Sequence, residues 1–382
     1  MDDLELGYLM AVAGALVWSP RTLRAWLRVL GNPRALAAWA REHAGRPPDS
    51  TPALAPVALA RLAAVDDDGA HRALEALERS GARALVPDDS DYPNALRDLD
   101  DAPPVLYVRG DPHAAGGRAA AIVGSRAATS YGRALAASFA ADFVSCGACV
   151  ISGLARGIDA AAHKGALAAR GKTVGVVGSG VNALYPPYHA LLADDIVAAG
   201  GALLSEFPPD MPAQPFHFPM RNRLVAALSG ITIVVEAGRR SGALITARLA
   251  DELGRHVFAV PGDVGRATSA GTNALIKDGV PLVESGIEAA QLAGWASIVP
   301  SSSSAAAPSA DDPLLAHLDV VGTDIESLSA RSGIDMPALL AQLTLLEIRG
   351  VIVRQPGGRY AAVIARRATN GSGDASRRHR GR

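Results

Sequence analysis

The sequence predicts an α/β fold on a parallel sheet, and three observations carry that prediction. Short β-rich runs alternate with Ala-rich segments of helical pattern between residues 119 and 280. Most of these runs end in glycine or serine, just before the helical pattern resumes. Several of the same turns also carry arginine. Strands that alternate with helices, each followed by a tight turn, build a parallel sheet with ligands bound beyond the carboxyl ends of its strands.

The runs follow in order along the chain. Residues 119–123 are apolar and end at Gly124-Ser125-Arg126, with a helical segment from about Tyr131. Val150-Ile151-Ser152-Gly153 leads into Leu154-Ala155-Arg156-Gly157-Ile158-Asp159 and an Ala-rich helix. Lys172 to Val177 ends at Gly178-Ser179-Gly180. Ile231 to Val235 ends at Glu236 and Gly238-Arg239-Arg240-Ser241-Gly242, with a helix from Ala243. His256 to Val260 ends at Pro261-Gly262. Gly124, Ser152, Ser179, Ser241 and Gly262 are therefore predicted on one sheet edge. Open backbone N–H groups at a helix start favour anions, and the guanidinium of Arg126 adds a fork that fits phosphate.

Two helical or mixed regions flank the sheet. Residues 1–85 are predicted as a small helical domain, with helices over Leu4 to Val17, Pro20 to Leu30 and Arg34 to Arg41, and a proline-rich loop at 44–56. Residues 90–295 hold the sheet, and 296–312, rich in Ser, Ala and Pro, form a linker. In 313–364, helices over Asp324 to Ala330 and Met336 to Arg349 precede a hairpin, Val351 to Arg354 and Tyr360 to Ile364, which is a winged-helix-like pattern. Arg349 and Gln342 are thin equipment for reading a duplex, so a protein-contact or structural role is expected there. Residues 365–382 are polar and arginine-rich and are predicted as a disordered basic tail.

Composition sets further bounds. The 382 residues allow two or three domains, and 49% hydrophobic with 4% aromatic residues means cores of Ala, Val and Leu. The net charge of −1 argues against a protein that coats DNA indiscriminately. A defined groove fits better. Only Lys164, Lys172 and Lys277 are lysines, so arginine is the default cation and a single arginine is weak evidence of function. Cys146 and Cys149 form one Cys-x-x-Cys with no second pair, which suits two small buried residues around a turn better than a zinc site. Carboxylates are not spaced as metal ligands, and no Gly-x-Ser-x-Gly nucleophile setting occurs. No catalysis, metal or cofactor is expected. The acidic start, Asp2-Asp3-Glu5, and the absence of an apolar run of about 20 residues predict a cytoplasmic protein without a membrane segment.

Longer motifs carry a resemblance. Gly124-Ser125-Arg126, residues 152–163 (Ser-Gly-Leu-Ala-Arg-Gly-Ile-Asp-Ala-Ala-Ala-His) and 218–229 (Phe-Pro-Met-Arg-Asn-Arg-Leu-Val-Ala-Ala-Leu-Ser) resemble the DNA-processing protein A (DprA, or Smf) family. So do Val-Val-Glu-Ala with Ser-Gly-Ala-Leu-Ile-Thr-Ala at 234–247, Pro-Gly with Ser-Ala-Gly-Thr-Asn-Ala-Leu-Ile at 261–276, and Tyr92-Pro93 through Tyr107. The likeness covers roughly residues 90–290. It implies an extended Rossmann domain that binds single-stranded DNA, dimerises through its later part and loads the RecA recombinase during natural transformation. One departure is Tyr185-Pro186-Pro187-Tyr188-His189, which lacks a basic residue that family members often carry. A phosphate contact is then missing there, or Tyr188 stacks on a base instead.

The candidate DNA-binding residues are Gly124, Ser125, Arg126, Ser152, Gly153, Arg156, Gly157, Arg221, Asn222, Arg223, Ser241 and Gly242. Arg156 either meets phosphate or is held by Asp159. Arg221 and Arg223, at i and i+2, are not both expected to face the core, which leaves at least one for the ligand. Ser241 is a helix cap, a phosphate ligand or both. Glu236 is expected to orient Arg221 or Arg223, and His163 and His217 to be structural or to stack. A homodimer is expected, with Leu275 or Ile276 facing the neighbour. The competing reading is a nucleotide-binding or phosphoribohydrolase-like enzyme on the same sheet, although residues 235–242 lack the Pro-Gly-Gly-x-Gly-Thr run of such enzymes.

Overall fold

The computed structural model describes residues 1–16, 19–43, 48, 50–295, 313–318, 322–348, 352–355 and 358–362, in two compact units, the first ending at Pro300. The linker, the basic tail, Arg349 and parts of the 44–56 loop lie outside the described residues.

Five helices open the first unit: α1 (Asp3–Ala15), α2 (Pro20–Leu30), α3 (Pro33–Glu42), α4 (Pro56–Ala63) and α5 (Asp67–Ser80). Local chemistry starts them. Asp2, Asn32 and Asp66 each accept a hydrogen bond from the N–H three residues on, and Pro20 and Pro33 occupy first-turn positions. Tyr8, Val12 and Trp26 from these helices share a continuous buried cluster with Tyr107, Leu192 and Leu203, so the helices pack directly on the sheet-bearing part of the chain.

The remaining elements of this unit are β1 (Arg83–Leu85), α6 (Asn94–Arg97), β2 (Leu106–Gly110), β3 (Ala119–Val123), α7 (Ser130–Ser145), β4 (Cys149–Ser152), α8 (Ile158–Ala168), β5 (Thr173–Val176), α9 (Ala190–Ala198), β6 (Ala202–Ser205), α10 (His217–Ala227), β7 (Ile231–Val234), α11 (Gly242–Glu252), β8 (His256–Ala259), α12 (Ala270–Lys277) and α13 (Gly286–Leu292). The strands form one eight-stranded sheet in the order β1-β2-β6-β5-β4-β3-β7-β8. The six strands from β6 to β8 in that order are parallel, as expected, but β2 runs antiparallel to β6, and β1 antiparallel to β2. The sheet is thus mostly parallel, with an antiparallel edge.

Alternation along the strands sorts the core into two layers. Ala120, Ile122, Val150, Ile231 and Ile233 pack with Phe139 and Phe143 of α7, Ala162 and Ala166 of α8 and Ala289 of α13. Ala121, Val123, Ile151, Val176 and Leu204 point the other way, to Leu224 of α10, Leu228 just past its end and Ala247 of α11. A sheet covered on both faces explains why its strands read as unbroken apolar runs. Cys146 and Cys149 are free and buried around the α7–β4 turn, and burial pushes the Cys149 thiol up to about 12.

In the second unit, α14 (Ile325–Ser332) and α15 (Met336–Ile348) precede the antiparallel hairpin of β9 (Ile352–Gln355) and β10 (Arg359–Ala362). Asp324 caps α14 and Gly333 ends it in the left-handed region. Leu314, Leu328, Leu339, Leu343, Leu346, Ile352 and Tyr360 make its core.

Candidate nucleic-acid interface

From β3 the chain steps in one direction through β4, β5 and β6, then returns to lay β7 on the other side of β3. This reversal opens a crevice at the carboxyl ends of β3 and β7, where open α/β sheets bind ligands. A cleft of about 850 Å³ lies there. Its walls come from Val123–Ala127, Gly153, Ala155, Asp159, Tyr185, Ala213–Pro215, the α10 residues Phe218, Pro219, Arg221, Asn222 and Val225, and the turn and first helical residues Gly238, Arg240–Ala243 and Thr246.

The turn after β3 is pinned from behind. Ser125 donates its N–H to the Glu236 carbonyl at 2.7 Å, and its hydroxyl accepts from the Ala127 N–H at 3.1 Å. Arg126 is exposed, and its guanidinium carbon lies 4.5 Å from the centre of the Phe218 ring. The ring holds the planar fork flat by a cation–π contact and leaves its N–H edge open to the cleft. Tyr185 continues this aromatic wall, with its ring 5.8 Å from that of Phe218.

The turn after β4 is organised by charge. Arg221 is only 3% exposed. Its Nη1 donates to the Gly153 carbonyl at 2.8 Å and also to the Val176 carbonyl. Asp159 is buried too, and its Oδ2 accepts the N–H groups of Gly153 at 3.1 Å and Ala155 at 3.3 Å. Burial pushes the Asp159 carboxyl up, while Arg221 and the two N–H donors pull it back. Burial pushes Arg221 down to about 10, against the pull of Asp159. Gly153 fits between the two: a Cβ there would lie 2.6 Å from Arg221 Nη2 and 2.6 Å from Asp159 Oδ2. Gly157, at φ +79°, passes so close to the β3 turn that a Cβ would meet the Ser125 carbonyl at 2.2 Å. Both glycines are dictated by close approach.

The third wall is the start of α11. Ser241 caps it by accepting the Ala243 N–H at 3.3 Å, and Asn222 Nδ2 donates to the Gly242 carbonyl at 3.2 Å. Arg240 stands exposed beside this open helix end. Three arginines and a single carboxylate therefore line the cleft, together with two aromatic rings.

Of the expected residues, the cleft gathers Gly124, Ser125, Arg126, Gly153, Arg221, Asn222, Ser241 and Gly242. The structure corrects the others. Ser152 is fully buried and its hydroxyl donates to the Ile122 carbonyl at 2.6 Å, so it supports β3 rather than facing the edge. Ser179 is buried as well, with its hydroxyl donating to the Gly180 carbonyl, and Gly262 packs beside Ser269 outside the cleft. Gly157 shapes the turn without lining the cleft, and Arg156 is exposed outside it. Asp159 does not hold Arg156; it is spent on the turn N–H groups.

Arg221 and Arg223 are both buried, contrary to the spacing argument, because each has internal partners. Arg223 Nη1 and Nη2 bond the two Glu206 carboxylate oxygens at 2.9 and 2.7 Å, and its Nε lies 3.0 Å from Asp101. Glu236 orients neither arginine. Its carboxylate accepts from the Thr129 N–H at 2.9 Å and hydroxyl at 2.5 Å, at the start of α7, where a helix favours negative charge.

His163 bonds Thr173 at 2.7 Å and burial pushes it down to about 3; His217 stacks on Phe207 at 4.0 Å. Tyr188 lies outside the cleft, against His189, so Tyr185 is the aromatic that loop contributes. Sequence reasoning missed Tyr185, Phe218 and Arg240 as cleft residues. Leu275 and Ile276 are both half-buried on α12, and Leu275 packs against the core. Among the described residues no three His, Cys, Asp or Glu side chains gather as metal ligands would, and no helix is long and apolar enough to cross a membrane.

A Rossmann-like sheet with an arginine-bearing cleft at its switch point, in one chain with a winged helix, defines a class of α/β proteins rather than one protein. Comparison narrows it. The family model for DNA recombination-mediator protein A matches residues 83–293, and that for the DprA winged helix domain matches 299–358. The chain belongs to the DprA/Smf family. It is 41% identical over 284 residues to Protein Smf of Escherichia coli, covering 72% of this chain and 76% of that one. To the DNA processing protein DprA of Bacillus subtilis it is 39% identical over 213 residues, 56% of this chain and 71% of that one. The X-ray structure of DNA processing protein A from Streptococcus pneumoniae superposes with a TM-score of 0.63 at 31% identity, covering 76% of this chain and 98% of that one.

Proposed function

We propose that the chain binds single-stranded DNA in the cleft, without chemistry of its own, and delivers it to the RecA recombinase in natural transformation and recombination. The supporting observation is the pairing of Arg126, Arg240 and the α11 N-terminus with the rings of Tyr185 and Phe218 in one crevice. Phosphates take the first set and splayed bases the second, which suits unpaired strands and tolerates any sequence. Delivery to RecA rests on membership of a recombination-mediator family. No cofactor or metal is required by this reading. In filter binding, single-stranded DNA is expected to bind more tightly than duplex, with affinity falling as salt rises; equal affinity for both forms would reduce the cleft to a generic basic surface.

The competing hydrolase reading needs a free carboxylate beside the ligand. Glu236, the carboxylate at the end of β7, does not line the cleft and has both oxygens engaged by Thr129. Purified protein is therefore expected to leave nucleoside monophosphates and DNA uncleaved, with or without Mg²⁺. Turnover that vanishes in Glu236→Gln is the result that revives the enzyme.

We further infer a homodimer through the later part of the Rossmann domain, with Ile276 of α12 as the outward apolar residue beside the core-packed Leu275. Two grooves on one strand raise the effective concentration without a stronger single site. Light scattering at micromolar concentration should give twice the chain mass of 39.2 kDa, and a strict monomer removes the bivalent argument. The helical residues 1–85 and the winged-helix unit take accessory roles, in packing or protein contact.

A further inference from the structure

A second hollow, of about 450 Å³, opens at the amino ends of β3 and β7, on the opposite edge of the sheet from the DNA cleft. Arg118, Arg255, Trp295, His113 and Asp91 face it. We propose that this hollow is a binding site for a nucleoside monophosphate group, with the phosphate on the two arginines and the base against Trp295.

The arginines carry the phosphate half of the argument. Every ion pair among the described residues involves other cations, so neither Arg118 nor Arg255 is paired with a described carboxylate. Arg255 Nε is shut off from solvent with no hydrogen-bond partner, and Nη2 makes only a 3.4 Å bond to the Ala227 carbonyl. A charged donor held inside a protein without an acceptor is costly, and native structures rarely leave one so. A phosphate entering the hollow supplies the anion that both guanidinium groups lack. The one carboxylate on the wall does not compete, because Asp91 is engaged by Arg83 at 2.5 Å and His113 at 3.3 Å.

The ring half rests on Trp295. Its indole packs over Gly230, where a Cβ would come within 3.2 Å of it, and the Arg118 guanidinium sits 6.0 Å from the ring centre. The exposed part of the Trp295 ring is a stacking surface for a planar base, with the Arg118 guanidinium at its rim. An acidic peptide would use the arginines and leave that surface idle. The volume falls within the range of small-ligand sites, about 300–1,000 Å³.

The test uses the whole chain with the DNA cleft weakened by Arg126→Ala, and Trp295, which lines the hollow and not the cleft, reports ligand at the hollow alone. Adenosine 5′-monophosphate is titrated against tryptophan fluorescence. Quenching is expected, and it should vanish in Trp295→Phe although three other tryptophans remain. Arg118→Ala, at an exposed position that leaves the fold intact, should weaken binding at least tenfold, and adenosine without phosphate should bind at least tenfold more weakly. Competing oligothymidine strands then identify the source. Displacement by 5′-phosphorylated but not 5′-hydroxyl strands assigns a DNA end, and displacement by neither assigns a free nucleotide. No quenching, equal binding of adenosine, or an Arg118→Ala variant that binds as well as its parent overturns the site.

Discussion

Arg223→Met is expected to destabilise the first unit by about 3–5 kcal/mol, the usual cost of removing one partner from a buried ion pair. The Glu206 side chain is only 3% exposed and its two carboxylate oxygens are both bonded by Arg223. Removing the guanidinium leaves that carboxylate buried and alone, and it also releases Asp101, which holds Arg223 Nε at 3.0 Å. Urea denaturation reads the loss as a lower midpoint. The double variant Arg223→Met/Glu206→Gln should recover much of it, because no charge is then stranded. The folded fraction of Arg223→Met should still bind single-stranded DNA with parental affinity, since Arg223 lies outside the cleft. A variant as stable as its parent but unable to bind DNA reverses the assignment of Arg223 from framework to ligand.

That arginine marks where the sequence stops being legible. β3, β4, β5, β7 and β8 were visible because each is an apolar run followed by a glycine-bearing turn, and a sheet covered on both faces demands such runs. β6 was not singled out: Ala202–Ser205 is four residues long and follows an Ala-rich helix without a change in composition. The antiparallel β1 was missed too, being three residues with an exposed start. Turn chemistry is local, so Gly124-Ser125-Arg126 and Ser241-Gly242 could be placed at the cleft from the sequence alone. Burial is not local. Whether Arg223 faces solvent depends on Glu206, in the loop after β6, and on Asp101, 122 residues away in sequence. The same holds for Glu236, whose partner Thr129 is 107 residues distant. Tyr185 and Tyr188 are three residues apart in one loop, and only the folded chain turns the first toward the cleft and the second away.

The cleft itself separates two contributions that one pair of variants can resolve. Arg126 supplies charge, and Phe218 supplies a surface that both holds the Arg126 fork and can receive a base. Each phosphate neutralised on a single strand contributes about 0.7 to the slope of log affinity against log salt, so Arg126→Ala should lower the slope by about 0.7 and weaken binding about fivefold near 0.1 M salt. Arg126→Lys should keep the slope but lose the flat guanidinium contact with the ring, and so bind between the two. Phe218→Ala should act differently. Losing one stacked base costs about 1–3 kcal/mol, or roughly 5- to 150-fold in affinity, with the slope almost unchanged because no cation is removed. Salt titrations of the three variants against one oligothymidine strand decide the matter. If Phe218→Ala changes only the slope, or Arg126→Ala only the intercept, the aromatic wall and the phosphate turn have been assigned the wrong way round. If neither variant binds differently from its parent, single-stranded DNA does not run through this cleft.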